Sequence, residues 1–375
     1  MARVFVCGDI MNMAGNTEFI GQDIGKVISG ADYSIANLEG PELLEGQISS
    51  SPHQRNGTVK YLKAIGFDLM LLANNHIAEL GEQGIKNTIS QIKQYKLDHI
   101  GVGFSLDEVY RPLIKEIEGI RFAMLNVCEA QKGFFWSTKQ KYGYAWIGYD
   151  NLLIAIHNAS QIADYVLVFV HAGLEHQSIP LPEFRSLYKK MCDAGASVVI
   201  GAHPHTPQGY EYYGEKLIAY SLGNFYLPRL NNEWTEEDKS YSLLIDFRVG
   251  QKISIKPIFH QLNGGVVDLV KDATQCVDLE LLCSMLGEGY DLQADDMCKT
   301  VYKELCSRLI SDATLGEYEG INLLGIIKNI LRITLFRRRF VTSSIEQRGK
   351  LLLRLFENES YRYTIIRSLK NKYNE

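Results

Sequence analysis

Short apolar, β-branched runs alternate with amphipathic stretches through the first two-thirds of the chain. Val4–Cys7, Tyr33–Ala36, Leu69–Ala73, His99–Val102, Phe122–Val127, Tyr165–Val170, Val198–Ile200 and Leu217–Ser221 read as strands. Between them, Glu82–Tyr95, Asn151–Ile162 and Glu183–Asp193 carry apolar residues three and four apart, the spacing of a helix with one buried face. Strands alternating with helices predict an α/β sheet covered on both faces. Tyr241–Val249 and Ile253–Ile258 predict a closing hairpin over Gly250-Gln251. After about Gly264-Gly265 the strand signals fade. Glu280–Leu286, Ala294–Ile310, Ile321–Phe336, Ile345–Phe356 and Tyr361–Asn371 then predict helices. A boundary is expected near residue 270, with an α/β domain over 1–265 and a helical C-terminal region over 270–375.

Composition narrows the class. The chain has 375 residues, 46% hydrophobic and 22% charged, enough to bury a sizeable core. A formal net charge of −5 leaves no electrostatic footprint for nucleic acid. Seven scattered cysteines form no C-x-x-C pair, so free, buried thiols in a reducing compartment are expected. Only four apolar residues, Val4 to Cys7, precede Gly8-Asp9, too few for the core of a signal peptide. Ile321–Phe336 is interrupted by Asn322, Lys328, Asn329 and Arg332 and falls short of a membrane span. A soluble, cytoplasmic protein is expected, with a peripheral membrane placement as the further reading of its basic tail.

In an open α/β sheet, ligands bind beyond the carboxyl ends of the strands. Val4–Cys7 is followed by Gly8-Asp9, and Tyr33–Ala36 by Asn37-Leu38-Glu39. Leu69–Ala73 leads into Asn74-Asn75-His76, and Tyr165–Val170 into His171-Ala172-Gly173. Val198–Ile200 leads into Gly201-Ala202-His203-Pro204-His205. Five strand ends thus deliver Asp, Glu, Asn or His to one rim, the vocabulary of a mixed nitrogen and oxygen metal centre. Any one of these has an ordinary reading: a turn, a helix cap or a core histidine. Their ordered recurrence is what points to a site.

The same residues resemble the ordered motifs of the calcineurin-like metallophosphoesterases. More closely, they resemble the CapA branch, the capsule (poly-γ-glutamate) synthesis proteins. Asn74-Asn75-His76-Ile77-Ala78-Glu79-Leu80-Gly81, His171-Ala172-Gly173-Leu174-Glu175 and Tyr220-Ser221-Leu222-Gly223-Asn224-Phe225 carry the likeness, which covers roughly residues 3 to 260. It implies a four-layer α/β/β/α sandwich with a two-metal centre at the sheet edges, followed here by a helical appendix. Carried over residue by residue, Asp9 and His205 would hold one ion and Asn75, His171 and His203 the other, with Glu39 bridging. His76 would stand outside the coordination shell as an acid. The ligands suit Mn²⁺, Fe or Zn²⁺ without choosing among them. One position departs from the larger relatives: two residues after Asp9 stands Met11, whose thioether is a poor ligand for a hard ion.

Such a site implies hydrolysis of a phosphoester, the substrate being a phosphorylated small molecule or a polymer precursor. Two ions can activate a water and neutralise phosphoryl charge, while His76 protonates the leaving oxygen. Glu79, three residues on, reads first as a solvated helix-start glutamate and second as a group that orients the His76 ring. Glu175, His176 and Asn224 are candidates to line the substrate cleft, and Arg55, near His53 in a polar loop, to clamp an anion. His99, His157 and His260 read as structural. The alternative, from another class, is a non-hydrolytic assembly or export-complex protein with a structural or vestigial metal site. Met11 and the tail favour it, and His76 favours the enzyme. A phosphate-cradling nucleotide site is excluded, since no G-x-G-x-x-G or P-loop motif follows a strand. Arg337-Arg338-Arg339 and the basic residues beyond them form a candidate docking surface for an anionic membrane or a capsule-assembly partner.

Overall fold

The computed structural model describes residues 1–131, 134–228, 238–306, 353 and 355–373. Two sheets dominate it. In the first, β1 (Ala2–Ile10), β2 (Tyr33–Leu38), β3 (Leu69–Leu71) and β4 (Asp98–Ile100) run parallel. On the other side of β1, β14 (Lys239–Phe247), β15 (Ser254–Asn263) and β16 (Val266–Leu269) continue it antiparallel. The short β13 (Asn224–Tyr226) pairs with the end of β1 in parallel, Asp9 opposite Asn224. In the second sheet, β7 (Ile120–Cys128), β9 (Tyr165–His171), β10 (Val198–Ala202) and β12 (Lys216–Ala219) are parallel. Antiparallel strands β6 (Leu113–Ile117) and β11 (Tyr210–Tyr213) form its edges. A two-residue pair, β5 (Val102–Gly103) with β8 (Gly143–Tyr144), stands apart from both sheets, and the one-turn α4 (Leu106–Val109) follows β5.

Alternation along β1 explains the layering. Val4 and Val6 point into a core shared with Phe122, Met124, Leu167, Phe169, Val198 and Leu217 of the second sheet. Phe5 and Cys7 point the other way, against α1 (Gln22–Ser29), α2 (Thr58–Ile65) and α3 (Gly81–Gln94) through Ile24, Ile28, Val59, Leu62, Ile85 and Ile89. A strand buried on both faces reads as a continuous apolar run, as β1 does. The far face of the second sheet is covered by α5 (Leu152–Ser160) and α6 (Pro182–Ala194). Pro182 opens α6, where its missing N–H costs nothing, and Gly195 ends it at φ 124°. The result is the expected α/β/β/α order. The predicted hairpin is β14 and β15.

This first compact unit comprises Met1–Ala130 and Phe134–Tyr290, and so includes α7 (Leu279–Ser284). The second comprises Gln131–Gly133 and Asp291–Glu375. α8 (Tyr290–Val301) begins four residues before the helix expected over Ala294–Ile310 and passes into a π-helix at Tyr302–Cys306, with 307–310 outside the described residues. α9 (Glu359–Tyr373) covers the helix expected over Tyr361–Asn371. Arg367 reaches Asp295 at 2.9 Å. The helix expected over Ile321–Phe336, most of that over Ile345–Phe356, and Arg337-Arg338-Arg339 lie outside the described residues. Among the described residues no helix is long and apolar enough to cross a membrane. Cys7 and Cys192 are buried free thiols, Cys128 and Cys298 are buried as well, and Cys276 and Cys283 are half-buried.

Candidate metal centre

Strand ends from both sheets converge on one cluster. Asp9 closes β1, Glu39 follows β2, and Asn75 and His76 follow the short β3; His171 ends β9 and His203 and His205 follow β10. Asp9, Glu39, Asn75, His171 and His203 are buried, whereas the side chains of His76 and His205 are 17% and 14% exposed. One ligand atom each of Glu39, His203 and His205 lies within 4.8 Å of the others. His171 Nε2 is 3.0 Å from Asn75 Oδ1, 3.1 Å from His203 Nδ1 and 3.7 Å from Glu39 Oε1. Asp9 stands 3.5 Å from His205 Nδ1 and 3.7 Å from His171 Nδ1.

The backbone is bent to achieve this. His203 and His205 lie at φ 98° and 59°, and His176 at 62°. Side chains rarely adopt that region, at a cost of order 1–3 kcal/mol each, and it concentrates at functional sites. The His203 amide donates to Asp9 Oδ2 at 3.2 Å, so the strained turn is tied to the opposite sheet. Burial, and then the charges of His203, His205 and His76, push His171 well below its ordinary value, leaving a neutral imidazole. For His203, burial acts in the same direction, but the hydrogen bond and charge of Glu129 and the charge of Glu175 prevail and raise it.

These residues fit a divalent ion. Burying Asp9 and Glu39 side by side costs several kcal/mol per ion, as a rough figure, unless positive charge shares the site. Imidazole, amide and carboxylate donors together suit Mn²⁺, Fe or Zn²⁺. Met11, at 8% exposure, is held by its amide to Tyr226 O at 2.7 Å.

The other expected residues distribute differently. His76 Nδ1 lies 3.0 Å from Glu79 Oε1, and its Nε2 lies 3.9 Å from Glu39 Oε1, at the rim of the cluster. Glu175 reaches the same rim, Oε1 at 4.0 Å from His203 Nε2 and 39% exposed. Burial works against its charge, yet His203, His205, His176 and His76 hold its carboxyl below the usual range. His176 packs its ring 6.2 Å from that of His205. Asn224 contacts a ligand candidate directly: its Oδ1 is 2.9 Å from His205 Nδ1. The Arg55 guanidinium donates to Gly15 O at 3.3 Å, on the loop after β1. His260 is a core histidine bonded to Ser242, which burial lowers to about 3.

Glu129 and Gln54 are not marked in the sequence reading, and Asn37 stands in a strand-end motif without an assigned role. Glu129, fully buried, follows β7 and stands 3.3 Å from His203 Nε2. Asn37 Nδ2 donates to Asp9 Oδ1 at 2.6 Å and faces His171 Nδ1 at 3.1 Å. Gln54 Nε2 donates to Ile10 O and Glu39 O at 2.7 and 2.6 Å, bracing the ends of β1 and β2. Glu129 was open to the strand-end rule, since Phe122–Val127 was recognised as a strand. Nothing local marks Gln54.

The family profile described as bacterial capsule synthesis protein PGA_cap matches residues 3–229. The chain is 34% identical over 228 residues to the capsule biosynthesis protein CapA of Bacillus anthracis, covering 58% of this chain and 55% of that protein. To the PGA biosynthesis protein CapA of Bacillus subtilis (strain 168) it is 30% identical over 210 residues, covering 54% and 55%. It thus spans about half the length of these curated relatives. A solved structure of a putative 5′-nucleotidase from Staphylococcus aureus, in complex with alpha-ketoglutarate, is similar at 13% identity and a TM-score of 0.45. That match covers 76% of this chain and 57% of the other. With its profile match over residues 3–229, the chain belongs to the bacterial capsule synthesis protein family PGA_cap.

Proposed function

We propose that this chain is a metal-dependent phosphoester hydrolase of capsule or poly-γ-glutamate biosynthesis, acting on a phosphorylated small molecule or a polymer precursor. The observation that supports it best is His76, a rim imidazole beside the buried cluster with a carboxylate on its inner nitrogen. A purely structural metal site has no use for such a group. Asp9 and His205 would hold one ion, Asn75, His171 and His203 the other, and Glu39 would reach both. When bound, two divalent ions activate water and neutralise phosphoryl oxygens. Glu79 accepts a hydrogen bond from His76 Nδ1–H, which orients the ring, and the imidazolium gives its Nε2 proton to the leaving oxygen. Glu175, at the exposed edge, repels a second anion and so restricts how the phosphoester enters.

A second reading draws on Met11: one ion would have few protein ligands, as in a structural site of an assembly or export-complex protein. The deciding experiment loads the purified chain with Mn²⁺, Fe²⁺ or Zn²⁺, measures metal content, and assays phosphomonoesters, phosphodiesters and sugar phosphates. Turnover abolished by chelator supports hydrolysis. Full metal content with no turnover on any of them overturns it in favour of assembly.

A further inference from the structure

Each imidazole of the cluster has two nitrogens, and only one can face an ion while neutral. For His203 the surroundings choose between them. Nδ1 points into the cluster, 3.1 Å from His171 Nε2. Nε2 points out of it, toward the Glu129 carboxylate at 3.3 Å. Both side chains are buried, Glu129 fully. Glu129 is itself held rigidly. It follows Cys128, the last residue of β7, which pairs in register with His171. Its backbone N–H donates to His171 O at 3.0 Å, and its carbonyl accepts the Tyr144 hydroxyl at 2.9 Å. The carboxylate that meets one histidine is thus anchored to the backbone of the other.

We infer that Glu129 is a positioning residue of the candidate centre. Its carboxylate accepts the Nε2–H of His203 and commits that ring to the tautomer whose bare Nδ1 faces the cluster. The inference rests on the reading of this cluster as a metal centre. A carboxylate behind a ligating imidazole fixes its orientation and makes it a stronger donor, and losing one typically weakens metal binding about 10–100-fold. Support from a clamped strand end is what holds such a group in place. Glu175, 4.0 Å from the same nitrogen and 39% exposed, stands too far to substitute.

The test has a readout that needs no metal. In chelator-stripped full chain labelled with ¹⁵N at histidine, two-bond ¹H–¹⁵N correlations at mildly alkaline pH report each tautomer. His203 is assigned by its loss in His203→Gln. The expected result is the Nε2–H tautomer in wild type and in Glu129→Gln, whose amide oxygen still accepts, and a mixture in Glu129→Leu. Mn²⁺ titration should show about 10–100-fold weaker binding in Glu129→Leu and a smaller loss in Glu129→Gln. A wild-type His203 carrying its proton on Nδ1, or remaining doubly protonated, overturns the inference. So does a folded Glu129→Leu with unchanged tautomer and affinity. If Glu129→Leu does not fold, Glu129→Gln decides: weaker Mn²⁺ binding with the tautomer kept supports the role, and unchanged binding refutes it. Wild type that binds neither Mn²⁺ nor Zn²⁺ refutes the metal reading, while the tautomer still judges Glu129.

Discussion

His76 differs from the other imidazoles of the cluster in what its two nitrogens face. His171 and His203 each turn a nitrogen toward the buried donors, whereas His76 gives Nδ1 to Glu79 and keeps Nε2 at the rim. Under the proposed hydrolysis, a group so placed would move a proton rather than hold an ion. His76→Asn is therefore expected to retain wild-type metal content and to lose roughly 10²–10⁴-fold in turnover. That loss should shrink on substrates with good leaving groups, which need no proton. Loss of metal together with activity would make His76 a ligand instead. Asn75→Ala and His203→Ala should do the opposite and lower metal content without unfolding the chain, as measured by elemental analysis and circular dichroism. Residues with unusual chemistry at a strand end were legible because type and position coincide there. The role of Asn37 and the place of Gln54 were not, because their meaning lies in contacts across the sheet: one amide on Asp9 and His171, the other on two carbonyls.

Elements hold these residues through close backbone approach. Gly8 lies where β1 passes β13, and a Cβ there would fall on the carbonyl oxygen of Gly223. The Asp9 amide donates to that same carbonyl at 3.2 Å. Gly8→Ala must push the two strands apart, shifting Asp9 from Asn224 and hence from His205. We expect it to destabilise the chain by about 1–3 kcal/mol and to weaken metal binding, whereas Gly25→Ala, in open space on α1, should do neither. Denaturant unfolding with Mn²⁺ titration of both variants checks this, and equal behaviour would refute it. At this scale the long, periodic segments were readable: α3, α5 and α6 stand within a residue or two of their expected limits. The three-residue β13 carried too little pattern, and the eight-residue α1, with Gly25 inside, too few turns.

The ion-pair cluster around Glu211 makes part of the fold's stability depend on acid pH. Arg185 on α6 makes a two-pronged contact with Glu211 on β11, at 3.0 and 2.9 Å, and Lys189 adds a third at 3.2 Å. Burial alone would raise the Glu211 carboxyl, but the hydrogen bonds of Arg185 and Tyr220 and the charges of Arg185 and Lys189 hold it down to about 2. A carboxylate depressed below its ordinary 4.5 stabilises the fold fully above that pH. The contribution fades as pH falls toward about 2. Glu211→Gln should therefore melt lower than wild type at neutral pH, with the gap closing between about pH 4.5 and 2. A gap independent of pH would assign the loss to packing.

Across the whole molecule, the candidate ligands divide evenly between the sheets. Asp9, Glu39 and Asn75 belong to the ends of β1, β2 and β3, and His171, His203 and His205 to those of β9 and β10. The two sheets already share an apolar core built from β1, β7, β9, β10 and β14. What they lack at the rim is apolar contact, because that rim is built of carboxylates, amides and imidazoles. A bound ion would join the sheets where the core does not. Mn²⁺ at about 100 times its dissociation constant should then add about 2.7 kcal/mol of stability. In a chain of this size that raises the melting temperature by roughly 3–4 °C, and EDTA should reverse it. His203→Ala should abolish most of the gain. Hydrogen exchange tells a staple from ordinary ligand binding: Mn²⁺ should slow exchange at the ends of β1 and β3 and equally at the ends of β9 and β10. Slowing confined to one sheet would mean that the ion is held by that sheet alone, and the two-sided ligand set would be wrong.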